Sequence, residues 1–155
     1  MDKTSHKIKA IIFDYGRTLY DRDRNQFFPE VRQVLEYLYP RYKLAIVSIA
    51  KENFPAEERI KQLEVSGFDR YFSSMLFDES HKDHLFSETL EKFKLKPIDA
   101  AFVDDRVQRG ITWGNKHGAM TIWYRNGKFA NELPDASTGN PTYTIENLSS
   151  LKEIL

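Results

Sequence analysis

The chain has 155 residues, with 23 Lys and Arg against 23 Asp and Glu, and it contains no cysteine. That length suits a single domain able to bury about 70% of its unfolded surface. Balanced charge supplies no global field for nucleic acid or an anionic membrane, and the missing cysteines exclude a disulfide framework, thiol catalysis and cysteine-ligated metals.

Residues 1–7 are polar, and a first strand is expected over 8–13, where Ala10-Ile11-Ile12-Phe13 runs into Asp14 and then Gly16. Residues 14–28 carry Gly16, Asp21, Arg22, Asp23, Arg24 and Asn25, which reads as a loop too polar for the core. Pro29 suits the first turn of a helix with Val31, Val34, Leu35 and Leu38 on one face, and Pro40 stops it. A second strand over 43–47 ends at Ser48, and a helix over 55–65 ends at Gly67. A short strand over 74–77 precedes a helix over 83–93 that stops before Pro97. The run Ala100-Ala101-Phe102-Val103 ends in Asp104-Asp105, and a helix over 107–117 runs into Gly118. A strand over 120–123, a loop over 126–141, an edge strand over 143–145 and a helix over 148–155 complete the chain.

Uninterrupted apolar strands alternating with amphipathic helices indicate a Rossmann-like α/β protein, a parallel sheet in a three-layer α/β/α arrangement. Ligands of such sheets bind outside the carboxyl ends of the strands, so Asp14, Ser48, Asp104 and Asp105 are expected to share one crevice. Carboxylates delivered there can hold Mg²⁺, and one of them can act as a nucleophile toward phosphorus. Ser48 offers a hydroxyl and an amide to a phosphoryl oxygen, and Lys82 offers a cation to offset the gathered negative charge. Taken singly, each residue is more often a turn former, a helix cap or a solvated charge.

Taken together and in order, these four elements resemble the haloacid dehalogenase superfamily of aspartate-nucleophile phosphohydrolases. Phe13-Asp14-Tyr15-Gly16-Arg17-Thr18-Leu19 matches its first motif, an apolar strand followed by Asp-x-Asp-x-Thr. Ile46-Val47-Ser48 matches the second, Lys82 at a helix start the third, and Val103-Asp104-Asp105 the fourth. The resemblance implies that Asp14 attacks phosphorus, that Ser48 binds a phosphoryl oxygen and that Lys82 steadies both. It also implies Mg²⁺ held by Asp14, the Gly16 carbonyl and the acidic pair; Asp105 aligns best as the ligand, and Asp104 stays open.

Two departures qualify the match. The motif's second Asp, which in family phosphatases protonates the leaving group and activates water, is Gly16 here, and no acid follows the fourth-motif pair, where Gln108, Arg109 and Gly110 stand. Gly16 keeps a carbonyl for metal while losing the proton-transfer group. The expectation is therefore a weak or specialised phosphohydrolase, competent on acyl or aryl phosphates, or else a degenerate member that binds a phosphorylated ligand or partner. Tyr15, Tyr20, Asp21 and Asp23 lie near enough in sequence to substitute for the lost acid, although solvated loop positions suit them better.

Only 34 positions separate Asp14 from Ser48 and another 34 separate Ser48 from Lys82, leaving no room for a cap domain. By analogy with the family, a capless single-domain member takes macromolecular substrates or a lid from another subunit, and dehalogenation is disfavoured. Arg17, Arg106 and Arg109 are candidates for an anion-reading rim, whereas Trp123, Tyr124, Phe27 and Phe28 suit the core better than a stacking site. His6, His81, His84 and His117 lack metal-ligand spacing on a shared element. No apolar stretch approaches the roughly 20 residues of a membrane span, and the first seven residues lack the apolar region of a signal peptide. The expected location is the cytoplasm, with no nucleic acid or membrane partner.

Overall fold

A computed structural model describes residues 7–155. The strands are β1 (Ala10–Phe13), β2 (Tyr20–Asp21), β3 (Gln26–Phe27), β4 (Lys43–Ile49), β5 (Ser74–Asp78), β6 (Ala100–Asp104), β7 (Met120–Tyr124) and β8 (Tyr143–Ile145). The helices are α1 (Val31–Leu38), α2 (Ala56–Ser66), α3 (Asp83–Phe93), α4 (Thr112–His117) and α5 (Leu151–Ile154). Six strands form one all-parallel sheet in the order β5-β4-β1-β6-β7-β8, and β2 pairs with β3 in a separate hairpin.

Alternation along each central strand divides the core. Ile11, Phe13, Leu44, Ile46, Val103 and Ile122 pack with α1, α2 and α5 on one face of the sheet. Ala10, Ile12, Ala45, Val47, Ala100 and Phe102 pack with α3 and α4 on the other. The strands are thus apolar on both sides because helices cover both. Fully burying a side chain such as Phe13 or Ile46 contributes about 1.5–3 kcal/mol, so the three central strands anchor the core on both faces.

From β1 the chain winds out through β4 to β5, then returns across β1 to β6 and continues to β8. The winding direction reverses beside β1, and such a switch point opens a crevice at the strand ends. Gly67 ends α2 at φ 81° and Gly118 ends α4 at φ 84°, left-handed caps that favour a residue without Cβ.

The structure corrects three local readings. Residues 14–28 are not wholly a polar loop: Tyr15, Thr18, Leu19, Tyr20 and Asp21 are buried, and the segment contains the β2–β3 hairpin. The Asp21 carboxylate fixes that turn by accepting from the amides of Asp23 and Arg24 at 3.0 and 3.3 Å. The helix expected over 107–117 opens as a wide π-type turn, Val107–Ile111, with Arg109 outside helical geometry (φ −118°, ψ −105°). The closing helix is a 3₁₀ turn, Leu148–Ser150, followed by α5. Among the described residues no helix is long and apolar enough to cross a membrane.

Candidate active site

β1 delivers Asp14 to the carboxyl end of the sheet, flanked by Ser48 near the end of β4 and by Asp104 at the end of β6. Ser48 Oγ donates to Asp14 Oδ1 at 2.7 Å, and Lys82 Nζ donates to the same oxygen at 3.2 Å. Thr18 Oγ1 approaches Asp14 Oδ2 at 3.4 Å and Asp105 Oδ1 at 3.3 Å, tying the two acidic segments together. Burial opposes a charge on Asp14, but the Lys82 ammonium and the hydroxyl of Ser48 outweigh it and hold the carboxyl below its ordinary value. Asp14 is a buried carboxylate kept ionised.

Lys82 stands immediately before α3, where the Asp78 carboxylate accepts from the Ser80 amide at 2.8 Å and the His81 amide at 3.3 Å. Those bonds fix the approach to the helix and lower the Asp78 pKa to about 2. The Lys82 ammonium lies 2.8 Å from Asp104 Oδ2. Burial works against its charge, but attraction to Asp104 and then Asp14 prevails and raises its pKa.

The acidic pair divides in its surroundings. Both Asp104 oxygens are engaged: Oδ1 accepts from the Arg106 amide at 3.0 Å, and Oδ2 accepts from Lys82 and, at 3.0 Å, from the Gly110 amide. Asp105 Oδ2, in contrast, is buried without a hydrogen-bond partner among the described residues. Burial, then repulsion from Asp14 and Asp104, pushes the Asp105 carboxyl well above its ordinary value. Oxygens of Asp14, Asp104 and Asp105 lie within 4.8 Å of one another. Three buried carboxylates, one contacting ammonium and one oxygen free to accept form a hard oxygen set whose chemistry fits Mg²⁺.

Asp14, Gly16, Ser48 and Asp105 line one crevice of about 300 Å³, with Lys82 and Asp104 packed directly behind Asp14. At and behind this crevice the structure brings together Asp14, Gly16, Ser48, Lys82, Asp104 and Asp105. The crevice also includes one that sequence reasoning missed: Arg59 on α2, only 4% exposed, donates through Nη1 to Ser48 Oγ at 2.9 Å and through Nε to the Phe54 carbonyl at 3.0 Å. Arg59 and Leu63, four positions apart, are the buried residues of α2, so an arginine on the inward stripe of a helix was the available signal.

Seven of the fourteen lining residues are Arg or Lys. Arg17, Arg106 and Arg109, the proposed rim, are among them; Arg17 pairs with Asp23 and Arg106 with Glu132. None of the four suggested substitutes for the lost acid lines the crevice. Tyr15 is buried with its hydroxyl 2.7 Å from Gln62, Tyr20 stacks on it, Asp21 pairs with Arg24, and Asp23 faces Arg17. Trp123 and Tyr124 are buried, the Trp123 indole donating to the Asp105 carbonyl at 3.0 Å, and Phe28 packs edge-on against Tyr124. His81 and His84 come together with Asp78, contrary to the spacing argument, their Nδ1 atoms 3.1 Å apart on an exposed surface; His6 lies outside the described residues.

A family model described as haloacid dehalogenase-like hydrolase matches residues 1–124. A glyceraldehyde 3-phosphate phosphatase of Pyrococcus furiosus is 32% identical over 100 residues, which cover 63% of this chain and 41% of that protein. The chain thus spans about two fifths of that curated relative. A HAD phosphatase of Thermococcus onnurineus superposes with a TM-score of 0.73 at 19% identity, covering 95% of this chain and 97% of the other. The YfnB protein of Bacillus subtilis, solved bound to magnesium, superposes at 0.78 with 14% identity, covering 96% and 99%. At those identities the two structures establish a common fold.

Proposed function

Because the chain belongs to the haloacid dehalogenase-like hydrolases, we propose that it is a Mg²⁺-dependent phosphohydrolase in which Asp14 takes the phosphoryl group. The observation that carries this reading is the state of Asp14: a buried carboxylate held ionised by Ser48 and Lys82 at the mouth of a cationic crevice. Asp14 attacks phosphorus, the Ser48 hydroxyl group turns to a phosphoryl oxygen, and Lys82 offsets the negative charge that accumulates. Asp14, Asp105 and the Gly16 carbonyl would hold Mg²⁺, which would supply positive charge against the repulsion between Asp14 and a phosphoryl group. Asp104, with both oxygens already accepting hydrogen bonds, aims Lys82 instead.

The name of the Pyrococcus furiosus relative supports a phosphorylated substrate, and a crevice of about 300 Å³ suits a small organic phosphate better than a macromolecule. Gly16 contributes no acid, so turnover is confined to good leaving groups. Gly16 also favours a second reading, a site that binds a phosphorylated ligand without turning it over. A screen of phosphorylated metabolites with and without Mg²⁺ separates the two. Phosphate release that requires Mg²⁺ and disappears in Asp14→Asn supports the enzyme, whereas saturable binding without release supports the binding module.

A further inference from the structure

Of the basic residues lining the crevice, five have no carboxylate within ion-pair distance among the described residues: Arg22, Lys51, Arg59, Arg109 and Lys128. Two of these converge on one spot. A Cβ built on Gly16 would meet Arg59 Nη1 and Arg22 Cδ, each at 3.8 Å. Both guanidiniums also lie against the Phe54 ring, at 4.5 Å for Arg22 and 4.3 Å for Arg59 from its centroid. Arg22 is placed by the Asp21-fixed turn of the hairpin, and Arg59 by its bonds to Phe54 and Ser48.

The two guanidiniums gathered on one ring repel each other, and Arg59 is buried with its main compensating charge, Asp14, reached only through the Ser48 hydroxyl, which is costly. An anion between them removes both penalties, and the planar forks suit a carboxylate or phosphate. Apart from Asp14 and Asp105, which the reading above assigns to phosphorus and Mg²⁺, the described lining residues include no carboxyl, imidazole, phenol or thiol, so no other acid of that kind serves a departing group. The leaving group must depart as a stable anion beside cations that can receive it.

Resting on the Asp14 reading above, we propose that Arg22 and Arg59 form an anion subsite over Gly16, and that the substrate is a small acyl phosphate whose departing carboxylate this subsite receives. Asp14 forms a bond to phosphorus, and the bond from phosphorus to the acyl oxygen breaks. Its electron pair leaves on a carboxylate that needs no proton. Water then bonds to phosphorus, the Asp14–phosphoryl bond breaks, and the protons of water leave with inorganic phosphate and to solvent.

The test has a kinetic arm and a binding arm, both with Mg²⁺ at saturation. In the first, kcat/KM is compared for acetyl phosphate and ethyl phosphate in wild type, Arg22→Ala and Arg22→Lys. The wild type should prefer acetyl phosphate by about 10²-fold or more, and Arg22→Ala should lose about tenfold or more on it, with partial retention in Arg22→Lys. In the second, calorimetry compares phosphonoacetate, whose carboxylate can reach the subsite, with methylphosphonate. The carboxylate should tighten binding about tenfold or more, and Arg22→Ala should erase the difference. Absence of any hydrolysis with the phosphonoacetate advantage intact would support the anion subsite and overturn the enzyme reading. Equal affinity for the two phosphonates, or hydrolysis of acetyl and ethyl phosphate with equal efficiency in a folded wild type, would overturn the subsite.

Discussion

Lys82 Nζ lies 2.8 Å from Asp104 Oδ2, and both side chains are almost completely buried. The same ammonium reaches Asp14 at 3.2 Å, so one cation holds two carboxylates at the ends of adjacent strands. Removing it leaves two buried negative charges facing each other. Lys82→Ala should cost about 3–5 kcal/mol of stability in the metal-free protein, read from urea unfolding. A loss below about 1 kcal/mol would show that the network relaxes to solvent.

Asp105 presents the opposite case, a buried carboxylate with an orphaned oxygen. Its folded pKa is raised, so in the metal-free protein it contributes stability at low pH that is lost as pH rises through that value. Asp105→Asn keeps the shape and removes the charge. The variant should melt higher than wild type in chelator at neutral pH and above, while losing the stabilisation that Mg²⁺ confers on wild type. Calorimetric titration should also show Asp105→Asn weakening Mg²⁺ more than Lys82→Ala does. Unchanged Mg²⁺ affinity in Asp105→Asn would transfer the ligand role to Asp104.

Gly110 shows why no acid follows the fourth motif at this point. Its amide donates to Asp104 Oδ2 at 3.0 Å, and a Cβ there would stand 2.7 Å from that same oxygen. Gly110→Ala must therefore displace Asp104 from Lys82. Destabilisation of about 1–3 kcal/mol is expected, together with loss of activity, by thermal melting and phosphate release. An unperturbed variant would mean that the turn over Val107–Ile111 yields freely.

Gly16 lacks such a conflict. It has ordinary rather than left-handed φ, and its nearest neighbours across the crevice are at van der Waals distance. Gly16→Asp should fold, and its carboxylate should enter the space between Arg22 and Arg59. Turnover of an alkyl phosphate should rise by up to about 10²-fold, less for an aryl phosphate whose leaving group needs less protonation. Acetyl phosphate should gain least, because the new carboxylate occupies the anion subsite. A folded, Mg²⁺-binding variant that hydrolyses no ester would rule out a missing acid as the sole defect.

The strand ends were legible in the sequence because a doubly covered strand is a plain apolar run, and its first polar residue marks the crevice. Asp14, Ser48, Asp104 and Asp105 stand out that way, whereas Lys82 at a helix start stands out only through the resemblance to the family's third motif. Residues 14–28 are harder: counting their charges hides Tyr15, Leu19 and Tyr20, which pack inward while Asp23, Arg24 and Asn25 face out. Arg59 escaped because its role depends on α2 folding back over β4, a tertiary placement that no local pattern records. The different environments of Asp104 and Asp105 likewise depend on the Gly110 and Arg106 amides, which only the turn after β6 brings to one of them.

Whether Asp14 carries the phosphoryl group is tested most directly by trapping it. Wild type mixed with acetyl phosphate and Mg²⁺, then quenched with borohydride, should convert an aspartyl phosphate to homoserine, located by peptide mass spectrometry. The product is expected at position 14 alone, dependent on both Mg²⁺ and acetyl phosphate, and absent from Asp14→Asn. Phosphate release by the wild type without homoserine at position 14, or with undiminished release by Asp14→Asn, would contradict the account.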